Sequence, residues 1–314
     1  MQLPPGAWDS HVHVIDEDSF PFSANAPYRP GKATLEDLQT FESALGVSKV
    51  VLVAVSVYGT DNSSIMSALA QLGGKGRAVV AIDPSKITES ELLEMHRAGV
   101  RGIRLNLKTF GRTCDKEILE AELLLCADRI RKFGWCIQLY IGLEQVALLH
   151  DVLPNLGVQV VIDHMGSPTV EERVQEQVGY AEMIDLLQRG LIWVKLSGVY
   201  RFSNVPGLDQ YGETLIRTNP DRVVWASDWP HTGGTAFNIS GDDNRVQQFR
   251  KVDDAGFVVK CFDWCGQEPQ VIRKLFVENP ETLWNSPTVG DGLLLQKPNT
   301  TRSARLVLQN EARL

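Results

Sequence analysis

Short apolar runs recur along the chain, and amphipathic segments separate them. Most of these runs are rich in Val, Ile and Leu and lack the alternation expected of a strand with one solvated face. Parallel strands buried on both faces have this composition. The pattern predicts strands at 8–14, 49–56, 78–83, 100–107, 136–141, 158–164, 192–198 and 222–228.

Helical patterns fill the intervals between the runs. Thr34 followed by Asp37, and Thr88 followed by Glu91, are capping-box sequences that predict helices at 34–45 and 88–98. Two further helices are predicted at 115–133 and 171–189. Eight repeats of strand and helix predict a (β/α)8 TIM barrel. The alternative is a doubly wound open sheet, but no G-x-G-x-x-G follows the first strand.

The end of the chain has a different pattern. Residues 242–284 are mainly helical in pattern and predict a C-terminal helical extension of the barrel, so the first domain is expected to span 1–284. The segment 285–314 contains Pro, Gly and Asn, and is expected to be a partly ordered extension or an oligomer contact. The oligomeric state itself is left open.

Composition excludes several classes of protein. Apolar residues at 43% and charged residues at 22% of 314 are ordinary globular values. A net charge of −8 without any Lys/Arg run argues against a nucleic-acid partner. The first residues lack the features of a secretory signal, and no apolar run is long enough to cross a membrane, so a cytoplasmic protein is expected. Five scattered cysteines predict reduced packing residues.

Candidate chemistry lies at two distant strands. His11 and His13 share one side of the first strand, because side chains alternate along a strand. The last predicted strand delivers Asp228 at its carboxyl end. Barrel enzymes keep their active sites at that end of the strands. Two imidazoles and a carboxylate that converge there predict hydrolytic chemistry.

Other polar residues end the remaining strands. They are Arg104, Asn106, Gln138, Tyr140, His164 and Lys195, with Arg112, Arg201 and His231 in the loops that follow. Structural roles stay open for three of them: Arg104 as an ion pair inside the barrel, Tyr140 as a core aromatic, and Lys195 as the partner of a carboxylate. Alternation points Asp163 away from His164, so Asp163 is predicted to be structural. His96 and His150 are predicted on solvent-facing sides of helices.

A tight catalytic metal is not expected. Zinc barrels that use His-x-His normally add a further imidazole from the fifth or sixth strand. The fifth strand carries Gln138 and Tyr140, which are poor ligands for zinc. The prediction is therefore no cofactor, with acid, base and electrostatic roles for the side chains themselves. If a metal such as zinc is bound, its predicted ligands are His11, His13 and Asp228.

Together the motifs resemble the amidohydrolase superfamily, and within it the branch of 2-pyrone-4,6-dicarboxylate lactonases and related lactone hydrolases. The resemblance rests on GAWDSHVHV, FPFSANAPYRPGKATLEDL, VLVAVSVYGTDNS, GVRGIRLNL, VIDHMG, WVKLSGVYR, VVWASDWPH and VENPETLW. It implies that Asp228 deprotonates the attacking water. It also implies that a lactone carbonyl is bound and polarised without a metal by His11, His13 and His164. The substrate contacts it implies are Tyr28, Ser56, Arg104, Tyr140, Arg201 and His231.

One departure affects the expected substrate. The pyrone dicarboxylate lactonases carry an arginine shortly after the strand-six histidine, where this chain has Ser167. The basic residues Lys108 and Arg112 are also spaced differently. Fewer guanidinium groups would hold a dicarboxylate less well. The expected substrate is a small pyrone- or muconolactone-like lactone with at least one carboxylate.

Three alternatives to this reading remain open. The first is a zinc-dependent sugar lactonase of the same superfamily. The second is an aromatic-acid decarboxylase, because such enzymes share the His-x-His, the strand-six histidine and the strand-eight aspartate with this chain. The third is a catalytically silent barrel used for binding or assembly.

Overall fold

The strands of this computed structural model, which describes residues 2–109, 115–237 and 245–285, match the predicted apolar runs. All eight runs overlap a strand, although each strand is shorter than predicted and the one predicted at 78–83 begins earlier, at Gly76. The strands are β1 Trp8–Val12, β2 Arg29–Pro30, β3 Lys49–Val53, β4 Gly76–Val80, β5 Val100–Asn106, β6 Cys136–Tyr140, β7 Val160–Ile162, β8 Trp193–Leu196, β9 Val223–Trp225 and β10 Val246–Gln247.

Helices alternate with most of the strands. They are α1 Leu35–Leu45, α2 Ser63–Leu72, α3 Glu89–Ala98, α4 Lys116–Ile130, α5 Leu143–Leu148, α6 Tyr180–Gln188, α7 Leu208–Thr218, α8 Asp254–Trp264, α9 Pro269–Arg273 and α10 Asn279–Trp284. A π-helical turn joins α9 to α10. Both predicted capping boxes are present, at Thr34 and Thr88. The helix predicted over 171–189 is wrong in its first half, because Gly179, with φ 93°, precedes the first turn of α6.

The predicted TIM barrel is confirmed. Eight strands form one parallel sheet in the order β1-β3-β4-β5-β6-β7-β8-β9. The sheet closes where Val12 bridges Trp229. At this seam the amide of Asp228 donates to the carbonyl of His11 at 3.0 Å, and that of His13 donates to Trp229 at 2.9 Å. Barrel closure therefore brings the His-x-His strand beside the predicted aspartate.

A short parallel ribbon links two loops at the carboxyl end of the barrel. Strand β2 pairs with β10, and the amide of Gly31 donates to the carbonyl of Gln247 at 3.0 Å. The ribbon connects the loop after β1 to the chain after β9. Tyr28 directly precedes β2, and Arg250 lies three residues after β10.

Two histidines differ from their predicted placement. His96 is buried, because the end of α3 packs on the ring of Trp135, whose Nε1 donates to His96 Nδ1 at 2.9 Å. The prediction of a solvent-facing His96 is therefore wrong. His150 follows α5 instead of lying within it, and its Nε2 lies 2.8 Å from Asp185.

The C-terminal part is helical as predicted, with α8 to α10 between 254 and 284. The short strand β10 was not predicted. The division into a domain at 1–284 and an extension at 285–314 stays a prediction, because 286–314 lie outside the described residues. Among the described helices, none combines the length and apolar character that a membrane crossing requires.

Candidate active site

His11 and His13 are fixed by partners at one ring nitrogen. His11 Nδ1 lies 3.2 Å from Asp163 Oδ1, and His13 Nδ1 lies 2.8 Å from the carbonyl oxygen of Val53. Both rings are buried and meet edge to face, with centroids 4.9 Å apart. The carbonyl acceptor at His13 Nδ1 places the proton of a neutral ring there and leaves Nε2 with its lone pair, whereas His11 Nδ1 also lies 3.4 Å from Lys195 Nζ, a donor. Both Nε2 atoms point towards Asp228.

The two oxygens of the buried Asp228 carboxylate have different surroundings. Oδ2 accepts from the Tyr200 hydroxyl at 2.7 Å and from Arg201 Nε and Nη2 at 3.0 and 2.9 Å. Oδ1 has no hydrogen-bond donor within the described ranges, but lies 3.7 Å from His11 Nε2 and 3.6 Å from His13 Nε2. One oxygen is therefore anchored, and the other is available to a ligand.

The surroundings keep this carboxylate ionised. Burial by itself raises the pKa of Asp228, but the opposing charge of Arg201 holds that pKa well below its usual range. The carboxylate is negatively charged at neutral pH. A low pKa also makes it a weak base, so a reaction that uses it requires an activated electrophile.

His164 completes the cluster from the opposite side. Its Nδ1 lies 2.9 Å from Ser197 Oγ and its Nε2 3.8 Å from Asp228 Oδ2. Burial lowers the pKa of His164 to about 4, so the ring is neutral at neutral pH. His164 and Met165 have φ values of 49° and 55°, which non-glycine residues adopt at a cost. The surrounding packing maintains this strained turn and fixes the imidazole in the site.

A second buried network lies behind His11. Asp163 accepts from Gln138 Nε2 at 3.0 Å and from Arg104 Nε at 3.2 Å, and Lys195 Nζ lies 3.6 Å from it. Lys195 also donates to Gln138 Oε1 at 2.7 Å. Burial lowers the pKa of Lys195 to about 8. Two cations and an amide thus hold the carboxylate that orients His11.

The prediction that Asp163 points away from the site is wrong. Strand β7 ends at Ile162, and Asp163 begins a 3₁₀ turn through Gly166. Strand alternation stops at that point, so Asp163 and His164 face the same interior. Arg104 and Lys195, whose roles were open, both pair with this carboxylate.

The remaining predicted contact residues surround this cluster. The Tyr140 ring packs edge to face on His164, with centroids 4.9 Å apart, and the Arg104 guanidinium carbon lies 5.3 Å from the Tyr140 centroid. Ser56 Oγ accepts from Asn106 Nδ2 at 2.8 Å. Their roles as substrate contacts stay predictions.

Two further predicted contacts have protein partners. The buried hydroxyl of Tyr28 hydrogen-bonds Thr232, and His231 Nε2 lies 3.0 Å from Asp254 Oδ1. Arg112 lies outside the described residues. Tyr28 and His231 therefore flank the cluster without touching Asp228 through a side-chain hydrogen bond in the described part of the chain.

Sequence reasoning missed two residues that hold His164 and Asp228 in place, Ser197 and Tyr200. Ser197 lies two positions after Lys195, so strand periodicity could have placed both on the inner side. Tyr200 and Arg201 belong to a 3₁₀ turn after β8. The contact of the Tyr200 hydroxyl with Asp228 depends on loop conformation, for which the sequence carries no periodic signal.

The donor atoms fit a divalent cation. One nitrogen each from His11 and His13 and one oxygen of Asp228 lie within 4.8 Å of one another. Two imidazoles and a carboxylate suit zinc, and the contacts of both Nδ1 atoms are those that orient metal-binding histidines. A second group, His11, Asp163 and His164, meets the same distance criterion.

Known proteins resemble this chain over most of its length. A 4-sulfomuconolactone hydrolase of Hydrogenophaga intermedia is 29% identical over 295 residues, which cover 92% of this chain and 91% of the relative. A 2-pyrone-4,6-dicarboxylate hydrolase of Comamonas testosteroni is 30% identical over 297 residues, covering 90% and 92%.

A solved structure and a family match agree with these relatives. A Pseudomonas putida protein described as a 2-pyrone-4,6-dicarboxylic acid hydrolase superposes with a TM-score of 0.73 at 31% identity, covering 90% of this chain and 98% of that one. The amidohydrolase family model matches residues 8–285. These matches confirm the family predicted from the motifs, and the chain belongs to the amidohydrolase family.

Proposed function

We propose that this protein hydrolyses the ring ester of a small lactone bearing at least one carboxylate, and that it does so without a metal ion. The observation that carries the proposal is the Asp228 carboxylate, anchored through Oδ2 and unpartnered within the described residues at Oδ1, which faces two imidazoles. The relatives support the substrate class, because their names describe hydrolases of a sulfomuconolactone and a pyrone dicarboxylate.

The reaction needs a base for water and an acid for the leaving oxygen. Water hydrogen-bonded to Asp228 Oδ1 transfers a proton to that oxygen while its own oxygen attacks the lactone carbonyl carbon. The ring C–O bond then breaks, and the proton passes from Asp228 to the departing ring oxygen. One carboxylate thus serves both steps, and the products are a hydroxyl or enol and a carboxylic acid on one open chain, the acid releasing its proton to solvent.

The imidazoles stabilise charge on the carbonyl oxygen. His11 provides a donor at Nε2 in the neutral tautomer whose Nδ1 accepts from Lys195 Nζ, 3.4 Å away, and His13 lies beside it with its Nδ1 on the carbonyl oxygen of Val53. His164 contributes a donor when the Ser197 hydroxyl donates to its Nδ1. Donors placed before the reaction are effective because they need no reorganisation as negative charge develops.

The charges of the site favour the metal-free form. Arg201 contacts Asp228 at 2.9 Å. Arg104 and Lys195 lie 3.2 and 3.6 Å from Asp163. Three cationic groups therefore face two carboxylates, and a divalent cation would add two positive charges beside them. Coulomb repulsion in a buried site opposes that addition.

If a divalent cation is bound, His11, His13 and Asp228 would hold it, and it would polarise the carbonyl or the attacking water. The proposal and this alternative differ in one measurement. Dialysis against a chelator should leave kcat/KM unchanged, and elemental analysis should find far less than one metal ion per chain. Loss of turnover on chelation, restored by zinc, would reject metal independence and leave lactone hydrolysis standing.

The proposed lactone hydrolysis is tested by measuring turnover of a panel of candidate substrates. Muconolactone, 2-pyrone-4,6-dicarboxylate and an uncharged γ-lactone should be compared by acid release, and an aromatic carboxylic acid by release of carbon dioxide. We expect turnover of at least one carboxylated lactone and none of the aromatic acid. Carbon dioxide release without lactone opening would favour the decarboxylase alternative, and no turnover of any compound would favour a binding protein.

A further inference from the structure

Arg250 is an arginine held at the edge of the site. It follows β10, and its amide donates to the carbonyl of His231 at 3.0 Å. Its guanidinium carbon lies 4.2 Å from the ring centroid of Phe237 and 5.5 Å from that of Tyr200. Two aromatic rings and the β2–β10 ribbon thus position this side chain.

Arg250 differs from the other site arginines in having no counter-ion. Arg104 and Arg201 each contact an aspartate, whereas no carboxylate in the described ranges lies within ion-pair distance of Arg250. Its Nε is buried and has no hydrogen-bond partner among the residues described. A buried donor without a partner costs stability, and it is normally retained only where water or a ligand satisfies it.

The neighbourhood of Arg250 is positively charged and close to the reacting carboxylate. Arg201 packs on the same Tyr200 ring, 5.0 Å from its centroid. Burial, followed by the charge of Arg201, lowers the pKa of Arg250. The Tyr200 hydroxyl contacts Asp228 at 2.7 Å, so a single phenol ring separates Arg250 from the catalytic centre. The positive charges of Arg201 and Arg250, both beside the Tyr200 ring, favour binding of an anion there.

We propose that Arg250 binds the anionic substituent of the substrate, a carboxylate or a sulfonate remote from the ring ester. The assignment rests on the proposed function and names the residue that selects the charged lactone. The planar guanidinium can donate two parallel hydrogen bonds to either anion. Arg104 and Arg201 are occupied by Asp163 and Asp228, which leaves Arg250 as the cation best placed to bind an external charge.

The test compares Arg250→Met with Arg250→Lys and with Lys251→Met as a matched control. Lys251 is the exposed adjacent residue, so its replacement removes the same charge but leaves the guanidinium beside Tyr200 and Phe237 in place. The substrates are muconolactone and its uncharged methyl ester. Arg250→Met should raise KM for muconolactone about 10- to 100-fold and change kcat only a few-fold. KM for the ester should stay within about twofold of wild type.

The lysine variant should fall between wild type and Arg250→Met, because it keeps the charge but loses the planar pair of donors. Lys251→Met should behave as wild type on both substrates. An unchanged KM for muconolactone in Arg250→Met, or an equal rise for acid and ester, would overturn the assignment.

A second measurement distinguishes failure of the Arg250 assignment from failure of the proposed lactonase activity. If wild type opens neither lactone, calorimetric titration with 2-pyrone-4,6-dicarboxylate still tests Arg250. Binding by wild type that weakens at least 10-fold in Arg250→Met would support the anion site alone. Equal affinity in both proteins, or no binding by either, would overturn it.

Discussion

Asp228→Asn is expected to lower kcat by about 10²–10⁴-fold, the usual cost of losing a general base. Tyr200 and Arg201 both donate to Oδ2, so the asparagine should place its carbonyl oxygen there and its amide nitrogen at the Oδ1 position. An amide nitrogen cannot accept a proton from water. The shape and contacts of the site should otherwise persist.

Steady-state kinetics on the best carboxylated lactone measures the effect, and calorimetry should show that this lactone still binds the variant. Asp185→Asn is the matched control, since Asp185 pairs with His150 and Arg189 in a partly exposed ion pair away from the site. That control should retain wild-type kcat. Near-normal kcat in Asp228→Asn would transfer the role of base to another group, with His164 the first candidate.

The barrel and its central residues could be predicted because they depend on strand periodicity. His11 and His13 lie two residues apart and therefore share one face of β1. Asp228 follows a buried run, and the closed barrel places it directly across the seam from His11. Once eight parallel strands are inferred, closure of the barrel is enough to bring these groups together. No knowledge of loop conformation is required.

Prediction failed where the backbone leaves the strand conformation. Asp163 was assigned to the wrong side because the alternation rule was extended past Ile162, where a turn with left-handed residues begins. His96 was placed in solvent because its burial depends on Trp135, which is remote in sequence. Both errors arise from tertiary contacts that local patterns do not encode.

Arg250 could not be found from the sequence for a related reason. Its position depends on the pairing of β2 with β10, two strands of two residues each that are more than 200 positions apart. Such short strands carry almost no compositional signal. The substrate-selecting part of the site is therefore less predictable than its catalytic part, because loops build the first and strands the second.

Lys195→Met is expected to destabilise the fold by about 3–5 kcal/mol, because it removes one of the two cations that compensate the buried Asp163 carboxylate. Lys195 is fully buried, 3.6 Å from Asp163, and donates to Gln138 at 2.7 Å. Methionine fills a similar volume but offers neither charge nor donor. Since Asp163 also orients His11 through a 3.2 Å contact, kcat should fall together with stability.

Urea unfolding followed by circular dichroism measures the loss, with Lys86→Met as the control. Lys86 pairs with Asp83 at the surface, where solvent screens the ion pair and it contributes little to stability. Adding Asp163→Asn to Lys195→Met should recover part of the free energy of unfolding, because it removes the uncompensated charge. A loss in Lys195→Met no larger than that of Lys86→Met would show that Arg104 and Gln138 suffice to stabilise Asp163. The lysine would then be dispensable to the network behind His11.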